Sequence, residues 1–502
     1  VSESLQRIKT RRRWLSHFSI LDGSIVGLYL LATMLAGIMV RKYVGKVEHF
    51  LVAGREMNVF LGIASLAATE FGIVTCMYTA QNGYEMGFSG AVPGILMAAA
   101  MAFVGFTGFG VKPLRDSGVM TLPELYQKKF GPRVRWAAGV VIVLGGLLNM
   151  GVFLRTGGEF LVVVTGLDVH YLEITMTLLL ILVAVYTILG GMLSVLITDF
   201  LQFIVMSLGL ILVTVLILYH IGWAALVQAV QTHHGAGGFN PLVHPKMGWP
   251  YVVFNALLNL AVVLTWQTTI IRLLSAKDTK TGLKIYKGTA FFFVCRFLIP
   301  GIWGIAALTT LTPEVVGANT LYAMPKFLST FVPMGLMGLL VAAMLAADMS
   351  TDSSYMLTWG SVIYNDIMAP FRKKAWPEKK GILWNRFIVA FIGIFLLFYG
   401  LWYPLKGDLW TYLGVTGTIY LSSMSVLLIA CCYWKRANSW GAGAAILFGA
   451  LIPVGFLVMQ QVPATQPLAE KIGPYYSGIA AYIITALAMV IGSLLKPQRK
   501  GA

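Results

Sequence analysis

Charge is scarce in this 502-residue chain. Asp, Glu, Lys and Arg make up 11% of it, against about 25% in a soluble domain. No polar stretch is long enough to form a soluble domain, so a soluble enzyme and a disordered chain are both excluded. Cysteine is scarcer still. Cys76, Cys295, Cys431 and Cys432 all lie in apolar segments without metal-ligand spacing. They read as small buried hydrophobes, which excludes a disulfide scaffold. No His/Cys cluster suggests a metal enzyme, and no glycine loop suggests a nucleotide site. The polar, basic N-terminus does not read as a cleavable signal peptide. Acidic residues number 20 against 37 basic, a net charge of +17. In a soluble protein that excess would suggest nucleic acid. In an apolar chain, basic residues collect in cytoplasmic loops instead, and no nucleic-acid partner is expected.

What the chain has is apolar length. Apolar types reach 58%, and the mean hydropathy is +0.79. A spanning helix needs about 20 mostly apolar residues. Thirteen segments qualify, at roughly 20–40, 58–79, 88–111, 136–165, 172–192, 196–220, 247–271, 285–311, 333–365, 385–403, 408–433, 441–461 and 474–495. An all-α multi-pass membrane protein is expected. Basic residues sort onto one side of these segments. The loop after the first span holds Arg41, Lys42, Lys46 and Arg55, and the loop after the third holds Lys112, Arg115, Lys128, Lys129, Arg133 and Arg135. The loops after the seventh and ninth are also basic, with Arg272 counted in the former and Lys373 and Lys374 in the latter. The opposite loops hold only Lys246, Lys326, Lys406 and Lys471. The C-terminus, with Arg499 and Lys500, is therefore expected in the cytoplasm and the N-terminus outside, although the basic tail Arg7–Arg13 argues the other way for itself.

Two bases, Arg155 and Arg296, fall inside spans, as do five acids: Glu70, Glu159, Asp199, Asp348 and Asp352. A charge at the bilayer centre costs at least about 2.5–3.5 kcal/mol. Such residues face a cavity, a partner or an ion. The acids outnumber the bases by three, a deficit that bound cations or protons would fill. This points to a solute or ion pathway through the bundle.

Two spans are poor as continuous apolar rods. The second reads Ala67-Ala68-Thr69-Glu70-Phe71-Gly72-Ile73-Val74-Thr75, and the seventh contains Asn259 and then Thr265-Trp266-Gln267-Thr268-Thr269. They stand five helices apart, so they occupy the same place in two five-helix halves. Paired interrupted segments of this kind point to an inverted-repeat transporter with its site near the midplane, because unwound backbone frees carbonyls for a cation. Helix–helix hydrogen bonding by Thr and Asn is the blander use. In the ninth span Ala347, Ser350, Thr351 and Ser354 share one stripe, with Ser353 beside it. The stripe serves close packing or hydroxyl ligation of a hard cation such as Na+, with Asp199 as a nearby carboxylate.

These residues resemble the sodium/solute symporter family over nearly the whole chain. Phe50-Leu51-Val52-Ala53-Gly54-Arg55 is similar to the family's loop after the first helix, and Thr121-Leu122-Pro123-Glu124-Leu125 with Lys129-Phe130-Gly131 to its second cytoplasmic loop. Tyr186, Gly190-Gly191 and Thr198-Asp199 with Gln202 resemble the start of its sixth span. Arg272 with Ala276-Lys277, Ala346-Ala347-Asp348-Met349-Ser350-Thr351, and Trp434-Lys435-Arg436 with Gly441-Ala442 complete the series.

The resemblance implies a leucine-transporter-type fold: a leading helix, a 5+5 inverted repeat and two trailing helices. The expected divisions are 1–57 (tail, leading helix and loop), 58–220 (first repeat), 221–246 (extracytoplasmic loop), 247–433 (second repeat) and 434–502 (trailing helices and tail). It implies a central Na+ site from the carbonyls of Ala68, Phe71 and Ala347 and the hydroxyls of Ser350 and Thr351. A possible second Na+ would take Asp199, Ser350, Ser353 and Ser354. For the solute it suggests Thr75, Arg155, Asn259, Gln267 and Arg296. The acid that binds sugar in some members corresponds to about Gly94 here, which disfavours sugar. Arg155 falls near an arginine that grips a carboxylate in sialic acid members, as a guanidinium can by two parallel hydrogen bonds. It can also pair with Glu159, one turn along its helix. Arg296 either contacts solute or pairs with an acid such as Glu70. Glu70, Glu159, Trp266, Asp348 and Asp352 are candidates for gating or charge pairing.

The reading is a cytoplasmic-membrane Na+/solute symporter, not an enzyme, working by alternating access with two Na+ per cycle. Its partners are the lipid bilayer and a small organic solute, expected to bear a carboxylate. No organic cofactor and no obligate protein partner are expected. A proton-coupled transporter and a non-transporting solute sensor are the rivals.

Overall fold

The computed structural model describes residues 18–372, 376–402 and 409–496. Arg7–Arg13, Lys373, Lys374, Lys406, Arg499 and Lys500 lie outside the described residues. The fold is built from helices. The leading helix α1 covers Ile20–Met39. Then follow α2 (Val59–Glu70), α3 (Ile73–Met86), α4 (Val92–Thr107), α5 (Pro132–Met150), α6 (Phe153–Thr165) and α7 (Leu172–His220). After a connecting segment come α8 (Gly248–Thr265), α9 (Gln267–Ser275), α10 (Thr279–Thr310), α11 (Leu336–Val362), α12 (Glu378–Trp402) and α13 (Leu409–Tyr433). Two trailing helices, α14 (Ser439–Gln461) and α15 (Gln466–Leu495), pack on each other and on α13.

Among the described residues, eleven helical runs are long and apolar enough to cross a membrane. The sequence suggested thirteen segments. The difference lies in two runs, 169–220 and 73–107, each of which contains a break in the regular α-helix. Inside α7, Gly191 has φ 53° and ψ −146°. A side chain rarely tolerates that conformation, and glycine does. In the other run, the 3-10 turn Gly87–Ala91 separates α3 from α4.

Sequence sets the helix ends. Asn58 caps α2 by accepting from Leu61 N, and Asp278 caps α10 by accepting from Thr281 N. Asn438 caps α14, accepting from Trp440 N and Gly441 N. Each such cap contributes about 1 kcal/mol. Asp22 forms a capping box with Ser19 at α1 and also accepts from Gly335 N and Gly338 N at the start of α11. One carboxylate thus serves two helix N-termini, where the helix dipoles favour negative charge.

The basic loops are knit into the bundle. Lys129 Nζ donates to the carbonyls of Ala430, Cys431 and Trp434, the open C-terminal end of α13. Burial pulls this amine below the usual lysine range. Arg135 pairs with the buried Asp366 just past α11 and donates to Asn365 O. The segments before α2 and after α9 are tied together: Met57 N donates to Ser275 O, Lys277 N to Met57 O, and Arg115 Nη2 to Ala276 O.

At the centre, α11 runs beside α7, α2 and α9, and almost every residue of α11 from Met337 onward is buried. A helix buried all round must satisfy its polar residues within the bundle, so its Ser, Thr and Asp residues mark where the chemistry lies.

A candidate solute and cation site at the broken helices

The helix breaks fall where the apolar runs fail. Between α2 and α3 the chain leaves helical geometry at Phe71 (φ −116°, ψ 69°) and Gly72 (φ −79°, ψ 170°). Between α8 and α9 it does so at Trp266 (φ −64°, ψ 121°), which ends one helix and starts the next. Each break interrupts the ladder of backbone hydrogen bonds.

α11 crosses the first break. Thr351 Oγ1 donates to Thr69 O at 2.8 Å and to Ala347 O at 2.9 Å. A methyl group added at Gly72 would come within 2.7 Å of Thr351 Oγ1, so only glycine lets the unwound strand lie on this hydroxyl. Ala68, Phe71, Ala347 and Ser350 are all buried beside it. The donor set is carbonyls and hydroxyls only. It suits a hard monovalent cation, so the five residues expected at the central site fit Na+.

Asp199, deep in α7, is surrounded by hydroxyls. Ser350 Oγ donates to Oδ1 at 2.6 Å and Ser65 Oγ to Oδ2 at 2.5 Å. Arg272 is also there. Its Nη2 lies 3.0 Å from Asp199 Oδ2 and donates to Thr69 Oγ1 and Ser354 Oγ. Both side chains of the pair are fully buried. The sequence reading placed Arg272 in a cytoplasmic loop, and the structure corrects this. α9 carries the guanidinium into the core, where it holds Asp199 and Ser354, two residues suggested for a second Na+. A third, Ser353, donates to Ser350 O.

A cavity with about 640 Å³ of empty space, partly open, lies beside the breaks. Glu70, Thr75, Asn259, Trp266, Arg296 and Thr351 line it, all singled out from sequence. Tyr78, Asn149, Phe153, Phe297, Tyr355 and Trp410 complete much of the wall. Nothing in their local sequence set these apart, since aromatics at helical spacing are common in any core. Arg296 Nη1 lies 3.4 Å from Glu70 Oε2, and Nη2 donates to Thr75 Oγ1 and Tyr78 Oη. Arg296 Nε is buried without a partner. Glu70 Oε1 accepts from Thr268 Oγ1 at 2.5 Å.

Other expected residues lie elsewhere. Arg155 is absent from the cavity wall. Its Nε pairs with Glu159 at 2.9 Å and its Nη1 donates to the carbonyls of Gly400 and Leu401. Glu159 accepts a second bond from Tyr322. Gln267 follows Trp266 in sequence but lines a separate small pocket with Thr121, Thr358 and Ser361. Trp266 itself lines the larger cavity. It stacks on Tyr420, meets Trp359 edge-on and donates from Nε1 to Tyr355 Oη. Asp348 and Asp352 are buried on α11, and among the described residues neither forms an ion pair or a hydrogen bond.

The chain is similar to known proteins. The family model described as the sodium:solute symporter family matches residues 50–449. A sodium/glucose cotransporter 4 of Danio rerio is 26% identical, over 89% of this chain and 73% of its own length. A sodium/mannose cotransporter of Bos taurus is 24% identical, over 96% and 88%, and a sodium/myo-inositol cotransporter of Mus musculus is 24% identical, over 95% and 73%. Among solved structures, a Na+-coupled sialic acid symporter in its substrate-bound outward-open state superposes with a TM-score of 0.82 at 18% identity, covering 96% of this chain and 99% of its own. That likeness shows the leucine-transporter-type fold. The chain belongs to the sodium:solute symporter family, a family of Na+-coupled membrane transporters rather than enzymes.

Proposed function

We propose that this symporter takes up a small organic solute bearing a carboxylate, with an amino-acid-like zwitterion as the best fit. The observation that carries the reading is the Arg296–Glu70 pair in the cavity wall, with Arg296 Nε left free. An arginine fork grips a carboxylate by parallel hydrogen bonds. Glu70 presents the opposite charge on the same wall, where a solute ammonium would meet it. Thr75 and Tyr78 fix the guanidinium in place, and Asn259 adds a side-chain amide. Arg155, engaged by Glu159 and two carbonyls, is not needed for this grip.

Ala68, Phe71, Ala347, Ser350 and Thr351 would hold the coupling Na+. When bound, the ion supplies a positive charge that orders the unwound backbone at the break. Thr351 lies on both the ion site and the cavity wall, so ordering one shapes the other. Trp266 and its aromatic neighbours close the cavity toward the basic loops, which in this reading face the cytoplasm together with the C-terminus. Two Na+ per cycle remain part of the reading.

A sugar or polyol is the second reading. The relatives named for glucose, mannose and myo-inositol favour it, as do the cavity-lining amides of Asn149 and Asn259. The melting temperature of the purified protein in choline chloride against sodium chloride, with amino acids, carboxylates, sugars and polyols added in turn, separates the two. A ligand that binds the folded state raises Tm. Stabilisation by Na+ that only zwitterions or carboxylates extend supports the first reading, and extension by sugars alone replaces it. No Na+ effect at any pH would move the reading to proton coupling or to a sensor.

A further inference from the structure

Six aromatic side chains line the solute cavity, in two groups. Tyr78, Phe297 and Trp410 pack with ring centroids between 5.0 and 5.7 Å apart, and Phe297 stands at 90° to Trp410. Tyr355 meets Phe153 at 5.3 Å and Trp266 at 5.7 Å, with the rings crossed at 78° and 81°. Each group is a corner of crossed rings. A flat aromatic solute would fit a slot between parallel rings, whereas a corner receives a compact, rounded group.

The polar tips of these rings are already taken. Trp266 Nε1 donates to Tyr355 Oη, Trp410 Nε1 donates to Asn255 Oδ1, and Tyr78 Oη accepts from Arg296 Nη2. What they leave to the cavity is ring surface. The other donors of the wall are largely committed as well. Asn149 Nδ2 donates to Leu413 O and Thr416 Oγ1, Asn259 Nδ2 to Asn255 O, and Thr351 Oγ1 to Thr69 O. The wall carries one acid and one base, Glu70 and Arg296. Such a wall suits a solute with no net charge, because a bare cation would face Arg296 and a bare anion Glu70.

We infer that the solute is an N-methylated zwitterion, a quaternary ammonium joined to a carboxylate by a short chain. The inference rests on the zwitterion reading above and names its cationic end. The face of an aromatic ring carries negative charge and attracts a cation, and a cage of such faces recognises quaternary ammonium groups. A trimethylammonium group has no N–H, so it needs no acceptor and loses nothing against ring carbon. A primary ammonium brings three donors that ring carbon leaves unmet. Glu70 fits the same division. Its Oε1 accepts from Thr268 and its Oε2 faces Arg296, so it offers the solute charge more readily than a new hydrogen bond. Arg296 Nε, without a partner, is left for the carboxylate.

The test is equilibrium binding of radioactive glycine betaine to the purified full-length protein in sodium chloride, with unlabelled competitors. Glycine betaine should bind saturably. Along the series glycine, N-methylglycine, N,N-dimethylglycine and glycine betaine, the concentration needed to compete should fall by about tenfold or more. Choline lacks the carboxylate, and the tert-butylacetate ion has carbon in place of the nitrogen. Each should compete about tenfold more weakly than glycine betaine, or worse. Phe153→Leu and Trp410→Leu keep an apolar side chain but remove a ring face, and each should weaken glycine betaine binding by about tenfold. The competitor series on the wild type decides the matter if either variant fails to fold. No binding of glycine betaine overturns the inference, as does equal competition by glycine or by tert-butylacetate. If unmethylated amino acids or carboxylates then raise Tm in Na+, the zwitterion or carboxylate reading stands without the cage. If sugars or polyols alone do so, both readings fall.

Discussion

Arg272 and Asp199 meet 3.0 Å apart in the centre of the bundle, each with no solvent exposure, although they stand 73 residues apart in sequence. Three hydroxyls share the guanidinium: Ser65, Thr69 and Ser354. Breaking a buried pair by removing one partner costs about 3–5 kcal/mol. Arg272→Gln should therefore lower Tm sharply, and Asp199→Asn combined with it should recover much of the loss. Arg272→Lys keeps the charge but not the planar fork and should fall between. A double variant whose loss is the sum of the two single losses would show that the pair is not energetically coupled.

Thr351→Ala removes the hydroxyl that touches the unwound strand at Thr69 O. The Na+ concentration for half-maximal stabilisation should rise by about tenfold, the equivalent of ~1.4 kcal/mol. Ser350→Ala should act in the same direction and also release one bond to Asp199. Na+ titrations of Tm that superpose on the wild type would remove both residues from the ion site.

Arg296→Lys should harm solute affinity far more than Na+ affinity. Lysine offers a point charge in place of a fork that reaches Glu70, Thr75 and Tyr78 together. A rise of about tenfold or more in the KM of uptake into proteoliposomes is expected, with the Na+ dependence little changed. Equal loss of both would make Arg296 a structural partner of Glu70.

Acid should loosen the loop that follows α7. Burial pulls His234 and His244 below the usual histidine range, with Lys246 opposing their charge as well. Their rings lie 6.2 Å apart. A histidine whose folded pKa is depressed binds its proton more readily when unfolded. Stability is then full above the unfolded value of about 6.5 and falls as pH drops through the folded pKa. Tm should decline between about pH 6.5 and 5, and His244→Gln should flatten that decline. An unchanged slope in the variant would place the acid sensitivity elsewhere.

The broken helices were legible because polar residues and glycine interrupt otherwise apolar runs at Thr69–Gly72 and Thr265–Thr268. The Arg155–Glu159 pair followed from a spacing of four on one helix. Arg272 was not legible. Counting loop charges treats every basic residue after a span alike, and only the short α9 shows that this one turns inward. The run Thr268-Thr269-Ile270-Ile271 before it, with Leu273-Leu274 after, was the available hint. Gln267 misled for a related reason: at a helix break, adjacent residues do not share a face, so it and Trp266 look into different spaces. The kink inside α7 falls at Gly191, at the boundary between the two segments, 172–192 and 196–220, that the sequence reading kept apart.

The ties among Met57, Ser275, Lys277 and Arg115 yoke the basic-side ends of the two broken helices. α2 and α9 cannot part at that end without giving up backbone hydrogen bonds. Any widening of the bundle there must swing both half-helices as one lever, with Phe71–Gly72 and Trp266 as its two elbows.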